Sequence, residues 1–281
     1  MSVPSRRAFH VIYDKSLEDA LQYASKSDWT GIVPDIGVPH FSPEKISQKS
    51  RKKLHELSES LGIEWGFHAP GDDISLYTTY SPIRSAIMSY FKEVIDLARD
   101  LSNTMTNVVI HPGRPPSFRK AGDTEDAYVN ENFSIYETTL FENLLELIEY
   151  ARPNVNIALE NNGWSPLIRH SIPSLIARGM RLCLDIPKLY DTSLKLKKDD
   201  WRLFQQFSET IEVVHIHDYI PELGSHQLLG SGKIDFSESL NLFSRMEHPP
   251  QYVFEVRPRE AATESLIRLD RVLSTLNLTL L

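Results

Sequence analysis

Six successive segments of the chain end in a side chain that can bind a metal ion or transfer a proton. Each segment is a short apolar run, and the residue at its carboxyl end is a histidine or a carboxylate. Imidazole and carboxylate together form a ligand set that suits Zn²⁺, Mn²⁺, Co²⁺ or Fe²⁺ better than Ca²⁺. Carboxylates also act as general acids and bases. The six residues are His68, His111, Glu160, Asp185, His215 and Glu255.

The regular placement of these residues argues against six separate structural roles. A lone buried histidine is more often a satisfied core residue, and a lone glutamate can pair with an arginine. Carboxylates that are buried together repel each other unless protons, cations or hydrogen bonds neutralise them. Because the same kind of residue recurs at six strand ends in order, the pattern predicts a divalent-metal site.

The six segments belong to a longer alternation of short apolar runs and amphipathic stretches. This alternation predicts strands followed by helices. In the helix predicted at 134–151, one face carries Phe141, Leu144, Leu145 and Ile148. We expect strands at 9–13, 31–35, 63–68, 107–111, 156–160, 181–185, 211–215 and 252–255. The helices are expected near 16–27, 43–61, 82–102, 134–151, 172–178, 199–209, 235–246 and 261–276.

Eight strand–helix units in order predict a parallel sheet, because each helix serves as a crossover. Within 281 residues, and with no linker between units, the sheet closes most naturally into a single (β/α)₈ barrel over residues 1–281. An open doubly wound sheet is the alternative. No glycine-rich phosphate loop follows the first strand, which disfavours that alternative.

A barrel gathers the strand ends at its mouth, where the active sites of this fold lie. His226 follows the seventh strand and is either a ligand or substrate contact or a plain loop residue. His10 falls mid-strand in the first predicted strand and is expected to be structural. The longest irregular stretch, 112–133, contains Arg119 and Lys120 and is expected on the same face as the site.

Bulk composition narrows the class of protein. The net charge of −8 disfavours non-specific binding to nucleic acid, which needs a cationic surface. The one cysteine, Cys183, lies in an apolar run and is expected to be buried. No apolar stretch reaches the roughly 18 residues of a membrane span, and no signal peptide is evident, so we expect a cytoplasmic protein. Oligomeric state is open, with a homodimer as the commonest assembly.

The strand ends carry seven short motifs in a specific order. They resemble the xylose isomerase-like barrels, a superfamily of sugar and sugar-phosphate isomerases and epimerases, inosose dehydratases and endonuclease IV. The resemblance runs from the third strand to the eighth and does not single out one member. The motifs are GFHAP at 66–70, VIHPG at 109–113, IALEN at 157–161, CLD at 183–185, VHIHD at 214–218, LGSGKID at 229–235 and VFE at 253–255.

The resemblance implies a particular ligand set. In the sugar epimerases a metal is held at positions that match Glu160, Asp185, His215 and Glu255. In endonuclease IV, which holds three zinc ions, His68 and His111 match first-site ligands and Glu160 a bridging carboxylate. This sequence departs from the third zinc site of endonuclease IV, because Lys188 and Gly224 stand where that site needs a histidine and an aspartate. The resemblance therefore implies one or two divalent ions per chain, Zn²⁺, Mn²⁺ or Co²⁺.

The leading hypothesis is an isomerase or epimerase that acts on a sugar, a sugar phosphate or a related carbohydrate-like small molecule. The ion would bind a carbonyl and an adjacent hydroxyl oxygen and stabilise the enediolate. Glu160 and Glu255 would be the catalytic pair that removes and returns the proton. The expected substrate contacts are Lys188, His217, His226 and Arg257. The alternatives are a metal-dependent phosphodiesterase like endonuclease IV, a lyase like inosose dehydratase, and a catalytically inactive barrel.

Overall fold

The predicted (β/α)₈ barrel is confirmed. The computed structural model describes residues 5–71, 74–117, 121–122 and 133–278. Its main sheet is parallel throughout the described residues and runs in the order β3-β2-β1-β11-β8-β7-β6-β5-β4. The strands are β1 (Arg7–Val11), β2 (Gly31–Pro34), β3 (Glu64–Trp65), β4 (Phe67–His68), β5 (Thr106–Ile110), β6 (Val155–Glu160), β7 (Arg181–Asp185), β8 (Ile211–Ile216) and β11 (Gln251–Phe254).

The third barrel strand is divided into β3 and β4 at Gly66. β3 pairs with β2, whereas β4 pairs with β5, so the two halves together close the barrel. Gly66 is required here because a Cβ atom would lie 2.9 Å from Gln251 Oε1 and 3.0 Å from a methyl group of Val33. The glycine lets the neighbouring strands approach at the point where the ring closes.

Helices cover the outside of the barrel, although two of them differ from the prediction. The second begins at Gln48 rather than 43, because Ser47 caps it and Pro43–Lys45 form a separate 3₁₀ turn. The fifth begins at Pro166, where Ser165 accepts a hydrogen bond from the Ile168 amide. The helices are α1 (Leu17–Lys26), α2 (Gln48–Leu61), α3 (Ser81–Leu101), α4 (Phe133–Ala151), α5 (Pro166–Ile176), α6 (Lys198–Gln206), α7 (Ser237–Phe243) and α8 (Arg259–Leu276).

Small apolar residues fill the interior of the barrel. Because strand side chains alternate between faces, the residue two positions further along each strand also points inward, nearer the mouth. The next inward residue of each strand therefore lies above this apolar layer, at the carboxyl end of the barrel. The buried interior cluster consists of Ala8, Val33, Val109, Ala158, Cys183, Val213 and Val253.

A larger apolar layer packs between the barrel and the helices. On α4 the fully buried residues include Leu140, Leu144 and Leu147, whereas Phe141 and Leu145 are only partly buried. The buried face is thus rotated from the predicted one, with Leu144 and Ile148 in both. A short antiparallel hairpin, β9 (Asp218–Ile220) and β10 (Gly224–Gln227), extends β8 at the mouth. Among the described helices, none is long and apolar enough to cross a membrane.

The packing of α4 predicts unequal losses for two adjacent leucines. We expect Leu144→Ala to lower the free energy of unfolding by about 2–5 kcal/mol, because it leaves a cavity in the sealed layer. Leu145→Ala is expected to cost less than about 1.5 kcal/mol, since the side chain already meets solvent. Urea denaturation of both variants measures the difference. Equal losses would contradict the assigned face.

Candidate metal centre

Each of the eight barrel strands contributes one ionisable side chain to a single layer at the mouth. In every case this residue follows an inward-facing small residue by two positions, in the arrangement set by the strand pleat. The six residues predicted from strand ends are all in this layer, joined by one residue from each of the first two strands. The layer consists of His10, Asp35, His68, His111, Glu160, Asp185, His215 and Glu255.

Glu160 lies at the centre of this layer and is fully buried. Its Oε2 atom is 3.3 Å from Nε2 of His68 and 3.0 Å from Nε2 of His111. The same oxygen lies 3.3 Å from Nδ1 of His215. One carboxylate oxygen therefore faces three imidazole nitrogens from three strands.

His215 and Glu255 hold two buried polar atoms that have no hydrogen-bond partner. These atoms are Nδ1 of His215 and Oε1 of Glu255, and they lie 3.3 Å apart. The other ring nitrogen of His215 is 3.4 Å from the Cys183 sulfur, which fixes the ring. A buried polar atom without a partner costs on the order of 1–3 kcal/mol, so this pair calls for a bound group.

The spacing of these atoms fits a divalent ion. Neighbouring ligand atoms at about 2.0–2.2 Å from one ion lie roughly 2.8–3.6 Å from each other in octahedral or tetrahedral geometry. His215 Nδ1 is 3.3 Å from oxygens of both Glu160 and Glu255, and 4.0 Å from Asp185 Oδ2. Sets containing His215 with Asp185 and Glu255, or with His68 and Glu160, therefore have a suitable donor arrangement.

Lys188 contacts two carboxylates of the same layer. Its ammonium group hydrogen-bonds to Oε1 of Glu160 and lies 3.5 Å from Oδ2 of Asp185. The Lys188 backbone amide donates to the other Asp185 oxygen at 3.0 Å. The lysine side chain is 25% exposed, whereas both carboxylates are fully buried. Lys188 therefore approaches the layer from the solvent side.

Positive neighbours set the protonation of the buried carboxylates. Burial acts to raise the pKa of Glu160, but Lys188 and His111 outweigh it and hold that pKa well below its usual range. For Glu255, burial is likewise outweighed, chiefly by His215, and its pKa is also lowered. Burial acts to lower the pKa of His68, yet its contact with Glu160 raises that pKa to about 9. Both glutamates are thus ionised at neutral pH and available as ligands or bases.

His10 and Asp35 are members of the layer that the strand-end argument left out. Nε2 of His10 lies 3.5 Å from Asp35, and Nδ1 lies 3.4 Å from Oε1 of Glu255. The strand predicted at 9–13 is observed at Arg7–Val11, so His10 is close to the carboxyl end rather than in the middle. The signal was present in the pairs Ala8/His10 and Val33/Asp35, which repeat the small-residue spacing of the other strands.

Two asparagines hold the strand ends in position. Asn161 receives a hydrogen bond from the Asp185 amide at 2.7 Å and donates one to the Asp185 carbonyl at 3.0 Å. The Asn162 side-chain amide lies 2.8 Å from Nδ1 of His111 and turns the other ring nitrogen toward Glu160. Neither asparagine was predicted as part of the site.

Asp218 organises the loop beside the site. Its carboxylate accepts hydrogen bonds from the backbone amides of Tyr219, Gly230, Gly232 and Ile234. A Cβ atom at Gly232 would lie 2.3 Å from this carboxylate, so only glycine allows the approach. The LGSGKID motif therefore forms a loop that wraps around the buried carboxylate of Asp218.

The remaining predicted substrate contacts surround the layer. His217 is buried, with Nε2 3.3 Å from Asp185, and it receives a hydrogen bond from the backbone amide of His226. His226 is one third exposed and lies 3.7 Å from Oε2 of Glu255. Arg257 lines a cleft next to His10 and has a buried Nε atom without a partner. Arg119 and Lys120 lie outside the described residues.

The environment of His226 predicts an acid-sensitive contribution to stability. Burial, followed by the positive charge of His217, lowers the pKa of His226 to about 4. Between the unfolded pKa of about 6.5 and pH 4, the unfolded chain takes up a proton that the folded chain does not. Stability is therefore lost as pH falls through this window, and His226→Gln should reduce the loss. Unfolding midpoints of metal-free protein at pH 7 and pH 5 test this, and an unchanged difference would contradict it.

Comparison with known proteins identifies the same architecture. The chain is 24% identical over 191 residues to the uncharacterized protein MJ1614 of Methanocaldococcus jannaschii, a match spanning 65% of this chain and just under two thirds (66%) of that relative. A D-tagatose 3-epimerase-like protein superposes with a TM-score of 0.73 at 21% identity, covering 97% of this chain and 98% of that one.

Two further solved structures share this fold. Endonuclease IV from Thermus thermophilus has a TM-score of 0.68 at 18% identity, covering 96% of this chain and 99% of that one. The IOLI protein with a bound zinc atom also has a TM-score of 0.68, at 16% identity, covering 96% and 97%. The model of the family described as xylose isomerase-like TIM barrel matches residues 21–272. This chain therefore belongs to the xylose isomerase-like TIM barrel family.

Proposed function

We propose that this protein is a metal-dependent isomerase or epimerase that acts on a sugar or sugar phosphate. The observation that carries the proposal is the pair of buried, unpartnered atoms His215 Nδ1 and Glu255 Oε1, 3.3 Å apart and beside Glu160. Epimerases among the similar structures support the reaction class.

Glu160, Asp185, His215 and Glu255 would hold the ion, as the family resemblance implies. When bound, the ion supplies Lewis acidity, which lowers the pKa of a substrate C–H bond next to a carbonyl group. The four side chains come from four different strands and are almost fully buried, so water is excluded from the reacting atoms. Zn²⁺, Mn²⁺ and Co²⁺ all suit this donor set.

The two glutamates are proposed to move the proton. Glu255 is proposed to abstract the proton, because its carboxyl group is ionised at neutral pH. Glu160 is proposed to return the proton, and its Oε1 atom contacts the Lys188 ammonium group. Both glutamates lie 3.3 Å from the same His215 nitrogen, so one small substrate could reach both.

Partly exposed polar side chains around the layer are proposed to bind the rest of the substrate. His226 and Lys188 reach the mouth from different loops, with 33% and 25% of their side chains exposed. Arg257 lies beside His10, and its unpartnered Nε can donate to a hydroxyl, carboxylate or phosphate oxygen. His217 is proposed to act through Asp185, since it is fully buried.

A phosphodiesterase like endonuclease IV is the second candidate. It is favoured by His68 and His111, whose Nε2 atoms both face Glu160 Oε2 and could hold another ion. It is disfavoured by Lys188 and Gly224, which stand where the third zinc site of endonuclease IV would need a histidine and an aspartate. The net charge of −8 also opposes association with a polyanion.

The two candidates predict different metal contents. We expect purified protein to carry about one divalent ion per chain, since Glu160, Asp185, His215 and Glu255 form one set of four ligands. Inductively coupled plasma mass spectrometry measures the content directly. Close to three zinc ions per chain, together with nicking of plasmid DNA, would favour the phosphodiesterase instead.

Proton transfer can be tested by solvent deuterium exchange. With Mn²⁺ present, we expect the protein to exchange a C–H proton in one member of a panel of ketoses and sugar phosphates. Glu255→Gln and Glu160→Gln should each slow exchange by about 10²–10⁴-fold, because the amide cannot accept the proton. The exposed Glu209→Gln is the matched control and should exchange at the wild-type rate. Exchange retained in both site variants would contradict the mechanism.

A further inference from the structure

Lys188 is anchored so that only its side chain is free to move. Its backbone amide donates to Asp185 Oδ1 at 3.0 Å, and its carbonyl accepts a hydrogen bond from Lys197 Nζ at 3.0 Å. The residue lies in a short 3₁₀ turn, Pro187–Leu189, directly after β7. The turn therefore holds the lysine Cα at a fixed distance from the carboxylate layer.

The side chain of Lys188 reaches back from this turn over two fully buried carboxylates. The ammonium group hydrogen-bonds to Glu160 Oε1 and lies 3.5 Å from Asp185 Oδ2. Buried carboxylates without a counter-charge are strongly destabilising, so the contact with the Lys188 ammonium group stabilises the fold. The same two side chains belong to the proposed ligand set of the divalent ion.

We propose that the Lys188 ammonium group is a displaceable counter-ion that competes with the divalent ion for Glu160 and Asp185. This inference rests on the metal-dependent function proposed above. A cation bound at the centre withdraws negative charge from both carboxylates and weakens their hold on the lysine. The side chain is one quarter exposed, so it has a path toward the mouth when the ion binds. The lysine thus stabilises the metal-free protein and lowers its affinity for the ion.

The test compares metal affinity across variants of the full chain. Metal-free protein is titrated with Co²⁺ and heat is recorded. Lys188→Met, which keeps the length but removes the charge, should lower the dissociation constant at least about tenfold. Lys188→Arg, which keeps the charge, should remain within about threefold of wild type. Lys195→Met removes an exposed charge from the same segment and should leave the affinity unchanged.

Thermal unfolding gives a second readout. The metal-free Lys188→Met variant should unfold at a lower temperature than wild type, and Co²⁺ should raise its midpoint by more than it raises that of wild type. If Lys188→Met folds only with the ion, the rate of Co²⁺ release to a chelator replaces the titration. Slower release than wild type supports the proposal, and equal release overturns it.

The outcomes separate this inference from the proposed function. Equal Co²⁺ affinity in wild type, Lys188→Met and Lys188→Arg would overturn the counter-ion role while leaving a metal-dependent enzyme intact. Tighter binding in Lys188→Arg as well as in Lys188→Met would also overturn it, because charge would not be the cause. Failure of every variant to bind Co²⁺, Mn²⁺ or Zn²⁺ would overturn the metal-dependent function itself.

Discussion

The burial of three carboxylates in one layer is the constraint on which the rest of this structure depends. Glu160, Asp185 and Glu255 are at most 3% exposed, and ionised groups in such a place must be compensated. The imidazole rings of the layer, His217 and the Lys188 ammonium group supply that compensation. The arrangement makes sense as a cation site, since Nδ1 of His215 and Oε1 of Glu255 still have no hydrogen-bond partner.

The barrel fold brings these side chains into one layer because each strand has an ionisable residue two positions after a small inward residue. Small inward residues such as Ala158 and Val253 fill the interior and leave no room for larger side chains below the mouth. The strand pleat then brings the ionisable residue two positions later to the same height on each strand. At Gly66 the third strand divides into β3, which pairs with β2, and β4, which pairs with β5, and these two pairings complete the ring. On each strand, one inward position therefore fills the interior, and the next inward position carries the ionisable side chain.

Much of this could be predicted from the sequence, and the failures have physical causes. The strand-end residues from His68 to Glu255 were found because each closes a recognisable apolar run. His10 was missed because the strand boundary was placed two residues late, and Asp35 because only later strands were considered. The contacts of Lys188, Asn161 and Asn162 depend on distances between strands far apart in the chain, which no local pattern encodes. The rotated face of α4 reflects packing against its neighbours rather than helical periodicity.

The location of a bound divalent ion decides whether the carboxylate layer is a metal site. Crystals of the protein grown with Co²⁺ can be measured at the cobalt absorption edge, where an anomalous difference map marks the ion alone. We expect a strong peak within about 2.0–2.3 Å of His215 Nδ1 and of oxygens from Glu255 and Glu160, with Lys188 turned away from Asp185. A map without a peak at the barrel mouth, or with its peak bound only by surface residues, would contradict it.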